Sequence, residues 1–469
     1  MRAPATVPHE RHGAAFLSRL KSATTGDSNT PLVLLGNFEV ENAWARSEVG
    51  LPSVAGASAS SALVNRMDEY ALLLGAGGDI VVLKSAPDDG HLAHLSSLGF
   101  TLPEVVVVDE GHAENTVTED ALASPGTIRA ITAVAPAGAH LLAHGCSAAE
   151  EQLGVACGLP LAHPSAATAK AVNGKVYSRL LCEELGIRQS PGWTMHTVHD
   201  FVDAVPAIEE MLLTGASVGV KDSYGVSGKG IVVISEPRRL YQLARMVERR
   251  ATKSGEDRLN VVAEVWADKV LDLNYHVTIA RDGDVVFDFV QEAITENGVH
   301  KGHRIPAGIS EATREELRSI GELVGEKLAS DGYFGPVGLD AITTADGSLL
   351  PVLDINARNN MSTYQTRIHE RFLLDGSVAI ARTYELSLDR RLSFEQVDHH
   401  LGDALLSPSR GAGAIVTNFA TVNAAAPEAD GAMFRGRFGC VLVAADAAEL
   451  RQLDRRIAAS LEAEGIARA

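Results

Sequence analysis

Gly338-Leu339-Asp340-Ala341-Ile342-Thr343-Thr344, then Asp346-Gly347-Ser348, then Leu349-Leu350-Pro351-Val352-Leu353-Asp354-Ile355-Asn356-Ala357-Arg358 is the stretch that decides the fold. Two apolar, β-branched runs on either side of an Asp-Gly turn read as a hairpin. A three-residue turn at Asp346-Gly347-Ser348 sets Asp340 opposite Asp354. Strand alternation then puts Asn356 and Arg358 on the face of Asp354. Two carboxylates, an amide oxygen and a guanidinium converge. Oxygen donors in this number suit Mg²⁺, which takes few protein ligands and completes its shell with water and phosphate oxygens. Arg358 can neutralise charge on a transferring phosphoryl group. The plain alternative is a solvated polar face. It fits poorly with Leu339, Ile342, Val352, Leu353 and Ile355, because carboxylates in apolar surroundings need partners. Pro351 limits one edge of the return strand.

Upstream lies Gly219-Val220-Lys221-Asp222-Ser223-Tyr224-Gly225-Val226-Ser227-Gly228-Lys229-Gly230. It is not a GxxxxGK[ST] loop. Ser223 stands at the first Gly position, Gly230 follows the lysine, and a strand, Ile231 to Ile234, follows where a helix is required. A strand–loop–strand of this kind can still fold backbone N–H groups over phosphates, since glycine permits close approach. Ser223, Gly225, Ser227, Gly228 and Gly230 are the candidate cover, and Lys221 would add positive charge. An ordinary hairpin tip is the competing reading.

Working outward, Leu32–Leu35, Asp79–Leu83 and Glu104–Val108 read as buried strands alternating with helices, which indicates a parallel sheet. Residues 30–165 are therefore one α/β domain, behind a flexible tail over 1–29. No GxGxxG follows the first strand, so a dinucleotide site is not supported. Residues 166–262 form a central unit with the glycine-rich loop. It opens with one amphipathic helix, Ala169 to Leu185. Residues 263–385 carry the acidic hairpin, and 386–469 form a small C-terminal α/β domain. The fold class is α/β, with an α+β core.

Sixty acidic against 41 basic residues give a net charge of −19, which argues against a nucleic-acid surface. The apolar runs fall far short of the roughly 20 residues of a membrane span. Four scattered cysteines without a CxxC pair and the lack of a signal-like N-terminus lead to the expectation of a cytoplasmic protein with reduced thiols.

Together Lys175, Lys221 with the glycine loop, Glu264-Val265-Trp266, Asp340 and Asp354-x-Asn356-x-Arg358 resemble the ATP-grasp family in kind and order. The D/E-x-N-x-R ending is the most specific element. The likeness covers residues 165–385, and the preceding domain is similar to a pre-ATP-grasp domain. The full layout resembles the pheganomycin-type peptide ligases. The resemblance implies two core subdomains gripping ATP. Lys175 and Lys221 would contact the α- and β-phosphates. Glu264, Val265 and Trp266 would hold the adenine, and Asp272 or Asn274 would meet the ribose. Asp340, Asp354 and Asn356 would hold one or two Mg²⁺ ions, with Mn²⁺ as a substitute. Arg358 would bind an acyl phosphate.

The implied reaction joins a carboxylate to an amine, on amino acids or peptides, in specialised metabolism such as antibiotic biosynthesis. A homodimer is compatible with the resemblance. The basic segment around His300, Lys301 and Arg304 is expected to face the site and bind the acyl phosphate or a substrate carboxylate; a solvated loop is the alternative. Rival readings are a kinase on the same scaffold, a non-catalytic ATP-binding regulator, and a carboxylase with a separate carrier.

Overall fold

A computed structural model describes residues 15–38, 40–52, 61–225, 230–296, 299–374, 376–407, 409–427 and 431–463, with backbone alone at 296, 299–301 and 463. Sixteen strands among them build three sheets. The first holds β1 (Leu32–Leu35), β2 (Ile80–Leu83), β3 (Glu104–Val107) and β4 (His140–Ala143). All pairs are parallel, in the order β3-β2-β1-β4. β1 and β2 are buried along their whole length because helices cover both faces. Leu32, Leu34 and Val81 enter one core, Val33, Leu35 and Val82 the other.

The second sheet is antiparallel. It contains β5 (Gly192–Thr197), β6 (Val218–Asp222), β7 (Ile231–Ile234) and β8 (Arg258–Val265), in the order β5-β8-β6-β7. Helices Val198–Leu213 and Pro237–Ser254 cover it through Phe201, Ile208, Leu240 and Val247. β8 runs through the 262–263 boundary drawn from the sequence, so Glu264 belongs to this sheet.

The third sheet has eight antiparallel strands: β9 (Lys269–Ile279), β10 (Val285–Glu296), β11 (Val299–Ile305), β12 (Gly335–Thr344), β13 (Leu349–Asn356), β14 (Val378–Leu388), β15 (Gly413–Asn418) and β16 (Phe434–Ala444). Their order is β13-β12-β9-β10-β11-β14-β16-β15. The C-terminal strands therefore continue the sheet of the acidic hairpin. The basic segment is β11, a strand between β10 and β14, and not a loop.

Two further expectations are corrected. The stretch read as a flexible tail contains the helix Phe16–Thr25, held by buried Phe16, Leu20 and Ala23 and by an Arg19–Asp288 ion pair at 2.8 Å. The single helix expected over Ala169 to Leu185 is two, Ala166–Val172 and Lys175–Glu184. Asn173 separates them. Its Nδ2 donates to the Ala169 carbonyl at 2.8 Å and to the Ala357 carbonyl at 3.0 Å. Gly174 is then the cap from which the second helix starts. Lys175 thus opens a helix.

The acidic hairpin pairs Asp340 with Asp354, as expected, by a different route. Near the turn Thr343 faces Leu349 and Ile342 faces Leu350. The turn is consequently Ala345-Asp346-Gly347, one residue earlier than expected. A register shift between Asp340 and Ile342 restores the facing carboxylates. Pro351, which lacks an N–H, lies in this irregular stretch of the return strand.

Candidate active site

The edge of the third sheet concentrates charge. Asp340 accepts from Asn274 Nδ2 at 2.9 Å and from Asn356 Nδ2 at 3.1 Å. Asp354 Oδ2 accepts from Lys175 Nζ at 2.6 Å. Arg358 Nη2 donates to Asn356 Oδ1 at 3.0 Å, and its Nε lies 2.5 Å from Glu41 Oε1. Burial pushes the Asp340 carboxyl up to about 6, and the charge of Asp354 adds to the rise. The two amides and Lys175 oppose it. Asp340 and Asp354 face each other across the hairpin, with Lys175 on one carboxylate and Arg358 on the neighbouring amide. Among the described residues no group of three or more His, Cys, Asp or Glu side chains is placed to hold a metal. Two carboxylates with an amide fit an ion that draws its other ligands from phosphate and water.

The second cluster lies between the two core sheets. Lys221, at the end of β6, is buried, pairs with Glu264, and stands 5.5 Å from the centre of the Trp266 ring. Arg179 Nη1 approaches Glu264 at 3.3 Å. Glu264 is flanked in register by Gly192 and Gly219. A Cβ at Gly219 would sit 2.5 Å from Trp266 Cε3, so glycine is what lets the indole lie on the sheet. Val265 and Trp266 are fixed by backbone bonds to Pro191 and Ser217 at 2.8 Å each. Lys175, Arg179, Lys221, Val262, Glu264 and Leu353 line the resulting cleft.

Lys175 joins both clusters. Its ammonium also donates to the Gly225 carbonyl at 2.9 Å, and its backbone N–H donates to the Ser223 carbonyl at 3.1 Å. Ser223 is buried beneath the start of that helix. Gly230, at φ +75°, closes the described part of the glycine hairpin by accepting from the Asp222 N–H at 2.7 Å. Ser227 and Gly228 lie outside the described residues, as do the side chains of His300 and Lys301.

The structure does not gather every expected residue. Asn274 is buried and committed to Asp340 and Ser362, so it belongs with the carboxylates. Asp272 accepts from Lys269 and Thr295 at 2.6 Å each and is absent from the lining of the cleft. Arg304 pairs with Glu292 across β10 and β11 at 2.8 Å. Asp340, Asn274 and Gln291 are register partners on one face, and Glu292 and Arg304 project from the other. Arg304 is therefore turned away from the acidic hairpin, which corrects the expectation that it faces the site. Three residues of the site were not found from sequence: Glu41, Arg179 and Ser362. Arg179 stands four residues after Lys175, so their shared helix face was a usable signal. Glu41 offered none.

Solved structures share the fold. The carboxyaminoimidazole ribonucleotide synthase of Aspergillus clavatus, complexed with ATP, aligns over 92% of this chain and 98% of its own, with a TM-score of 0.52 and 12% identity. The biotin carboxylase of Campylobacter jejuni aligns over 90% and 89%, with a TM-score of 0.56 and 12% identity. Residues 67–159 match the family model of the Pre ATP-grasp domain. The chain has the ATP-grasp fold, behind a pre-ATP-grasp domain.

Among sequence relatives, the [butirosin acyl-carrier protein]–L-glutamate ligase of Niallia circulans is 30% identical over 206 residues, 43% of this chain and 46% of that protein. The carbamoyl phosphate synthase large chain of Xylella fastidiosa is 30% identical over 146 residues, 29% of this chain and 12% of that one. The chain thus matches less than half the length of these curated relatives. Among its described residues no helix is long and apolar enough to cross a membrane, and all four cysteines are buried and free.

Proposed function

We propose that this ATP-grasp chain is an ADP-forming ligase that joins a carboxylate to an amine through an acyl phosphate. The observation that carries the reading is the continuity of charge from the cleft to the hairpin. Lys175 contacts both the glycine hairpin and Asp354, and Arg358 closes the far end of the Asp340–Asn356 cluster. Lys175 and Lys221 hold the inner phosphates of ATP, which leaves the γ-phosphorus as the electrophile. Arg358 takes the charge of the transferring phosphoryl group. Asp340, Asp354 and Asn356 would hold Mg²⁺, which supplies charge neutralisation at the phosphate oxygens. Lys221 and Lys175 now rest on Glu264 and Asp354, so nucleotide binding exchanges internal ion pairs for phosphate contacts.

The butirosin relative supports a role in specialised metabolism and makes an amino acid, L-glutamate, the first acid to test. The test is a scan of amino acids and small peptides for acid-dependent ADP release, with mass detection of the coupled product. Hydroxylamine should trap the activated acid as a hydroxamate, with ADP as the nucleotide product. AMP in stoichiometric yield overturns the reading, and a stable phosphorylated acid without coupling assigns a kinase instead.

A further inference from the structure

The order β3-β2-β1-β4 reverses between β1 and β4, and in open parallel sheets the crevice outside such strand ends takes ligands. Here it is bounded by Gly36-Asn37 after β1 and Gly145-Cys146 after β4. Asn37 Nδ2 donates to the Gly145 carbonyl at 2.8 Å. The chain after β13 enters this crevice: the Asn359 N–H donates to the His144 carbonyl and Asn359 Nδ2 to the Ala143 carbonyl, each at 3.0 Å. That insertion delivers Arg358 to Glu41, on the short helix Val40–Ala45.

Glu41 is 5% exposed. Neither of its oxygens has a hydrogen bond, and Arg358 Nε lacks one as well despite the 2.5 Å approach. Arg358 meanwhile spends Nη1 on the Asn359 carbonyl and Nη2 on Asn356. An ion pair kept only for structure would satisfy both partners, because unmade bonds at buried charge are costly. Glu41 has spare acceptor capacity where the pre-ATP-grasp domain meets the phosphoryl-binding arginine.

We propose that Glu41 is the carboxylate that receives the amine substrate and takes its proton, an assignment that rests on the ligase reading above. Arg358 neutralises Glu41 in their ion pair. An acyl phosphate on Arg358 draws that charge away, and the ammonium of the amine takes its place beside Glu41. Glu41 accepts one N–H proton. The freed nitrogen pair attacks the acyl carbon, the C–N bond forms, and the bond between the acyl carbon and the phosphate's bridging oxygen breaks. Phosphate leaves with the electron pair and carries off the second proton. The charged and titratable groups around this contact are Arg358, His144, Cys146, Tyr333 and Tyr364, and burial raises the cysteine and both tyrosines so that they stay neutral. Burial, with the nearby Arg358 charge, holds His144 well below its ordinary value, so it stays neutral. Amine capture is thereby ordered after activation of the acid.

The test compares two nucleophiles on the full chain, with the acid and amine found by the scan. Hydroxylamine needs no proton removed before it attacks; the ammonium of the amine substrate does. Glu41→Gln should lower amide formation about 100-fold more than hydroxamate formation, and the amide rate should recover as pH rises toward the free amine. Glu41→Asp keeps the carboxylate and should restore the ratio of the two products toward wild type. Equal losses of both products in Glu41→Gln, or an Asp variant that matches the Gln variant, overturn the role of Glu41 alone. A wild-type chain that makes no hydroxamate from any acid overturns the ligase reading and this assignment with it.

Discussion

The hairpins β12–β13 and β6–β7 each carry a carboxyl group pushed up to about 6, Asp340 in the first and Asp222 in the second. Burial is the largest cause in both. Their surroundings then diverge. Asp340 faces a second carboxylate, Asp354, and its two hydrogen bonds come from side-chain amides of the same cluster. Asp222 receives the Leu51 N–H on both oxygens, at 2.9 and 3.1 Å, and with it a segment whose Val49 and Leu51 pack into the core of the second sheet. Lys175 lowers both. Equal shifts therefore carry different meanings. At Asp340 burial is joined by the charge of a second carboxylate, Asp354. At Asp222 burial is joined by the charge of Glu48, while the Leu51 N–H that the carboxyl holds as a strut opposes the rise.

The largest effect should separate these two. Asp354→Asn removes one of the facing charges and should cost acid-dependent ADP release roughly 10²- to 10³-fold, on the scale of losing a fixed transition-state contact. Asp222→Asn keeps an oxygen for Leu51 and should stay within a few-fold of wild type. Steady-state ADP release on both variants, with circular dichroism to confirm folding, measures the gap. Equal losses would erase the distinction drawn here.

A smaller effect concerns the cation of the second hairpin. If Lys221 holds phosphate as proposed, Lys221→Ala removes a charge-assisted contact worth roughly 1.5–3 kcal/mol, and the ATP concentration for half-maximal rate should rise about 10- to 100-fold. The concentration of acid required should stay as it is. A changed acid requirement at unchanged ATP requirement would place Lys221 in the acid site and break the assignment of this hairpin to nucleotide.

What was legible in the sequence follows the range of the forces involved. The acidic hairpin could be read because its turn, alternation and carboxylates lie within a short local run. The split of the helix at Gly174 could not. An interior glycine and a capping glycine look alike until Asn173 is seen bonding to the Ala357 carbonyl far along the chain. The facing of Arg304 depended on strand register across an irregularity between Ile294 and Thr295, and one residue of register reverses a face. Glu41 was silent for a similar reason. Its partner Arg358 comes from another domain, and no periodicity links them. The helix Phe16–Thr25 is an intermediate case: Phe16, Leu20 and Ala23 form an apolar stripe, but a short one beside polar neighbours.

The smallest effect tests the strut itself through pH. Asp222 has an ordinary value of 3.8 and a folded value of about 6. Between those values the folded chain holds a proton that the unfolded chain releases. The stability from this group is therefore fully present below 3.8 and is lost as pH rises through about 6. The shift corresponds to at most roughly 3 kcal/mol, spread over that window. Asp222→Asn cannot titrate, yet its Oδ1 can still accept from the Leu51 N–H. Melting temperatures measured from pH 4 to pH 8 should therefore diverge, with the Asn variant gaining on wild type by a few degrees as pH rises and the gap levelling off above pH 7. Parallel curves would mean that Asp222 is ionised throughout. The strut would then be a charged one, and the contrast with Asp340 would rest on hydrogen bonding alone.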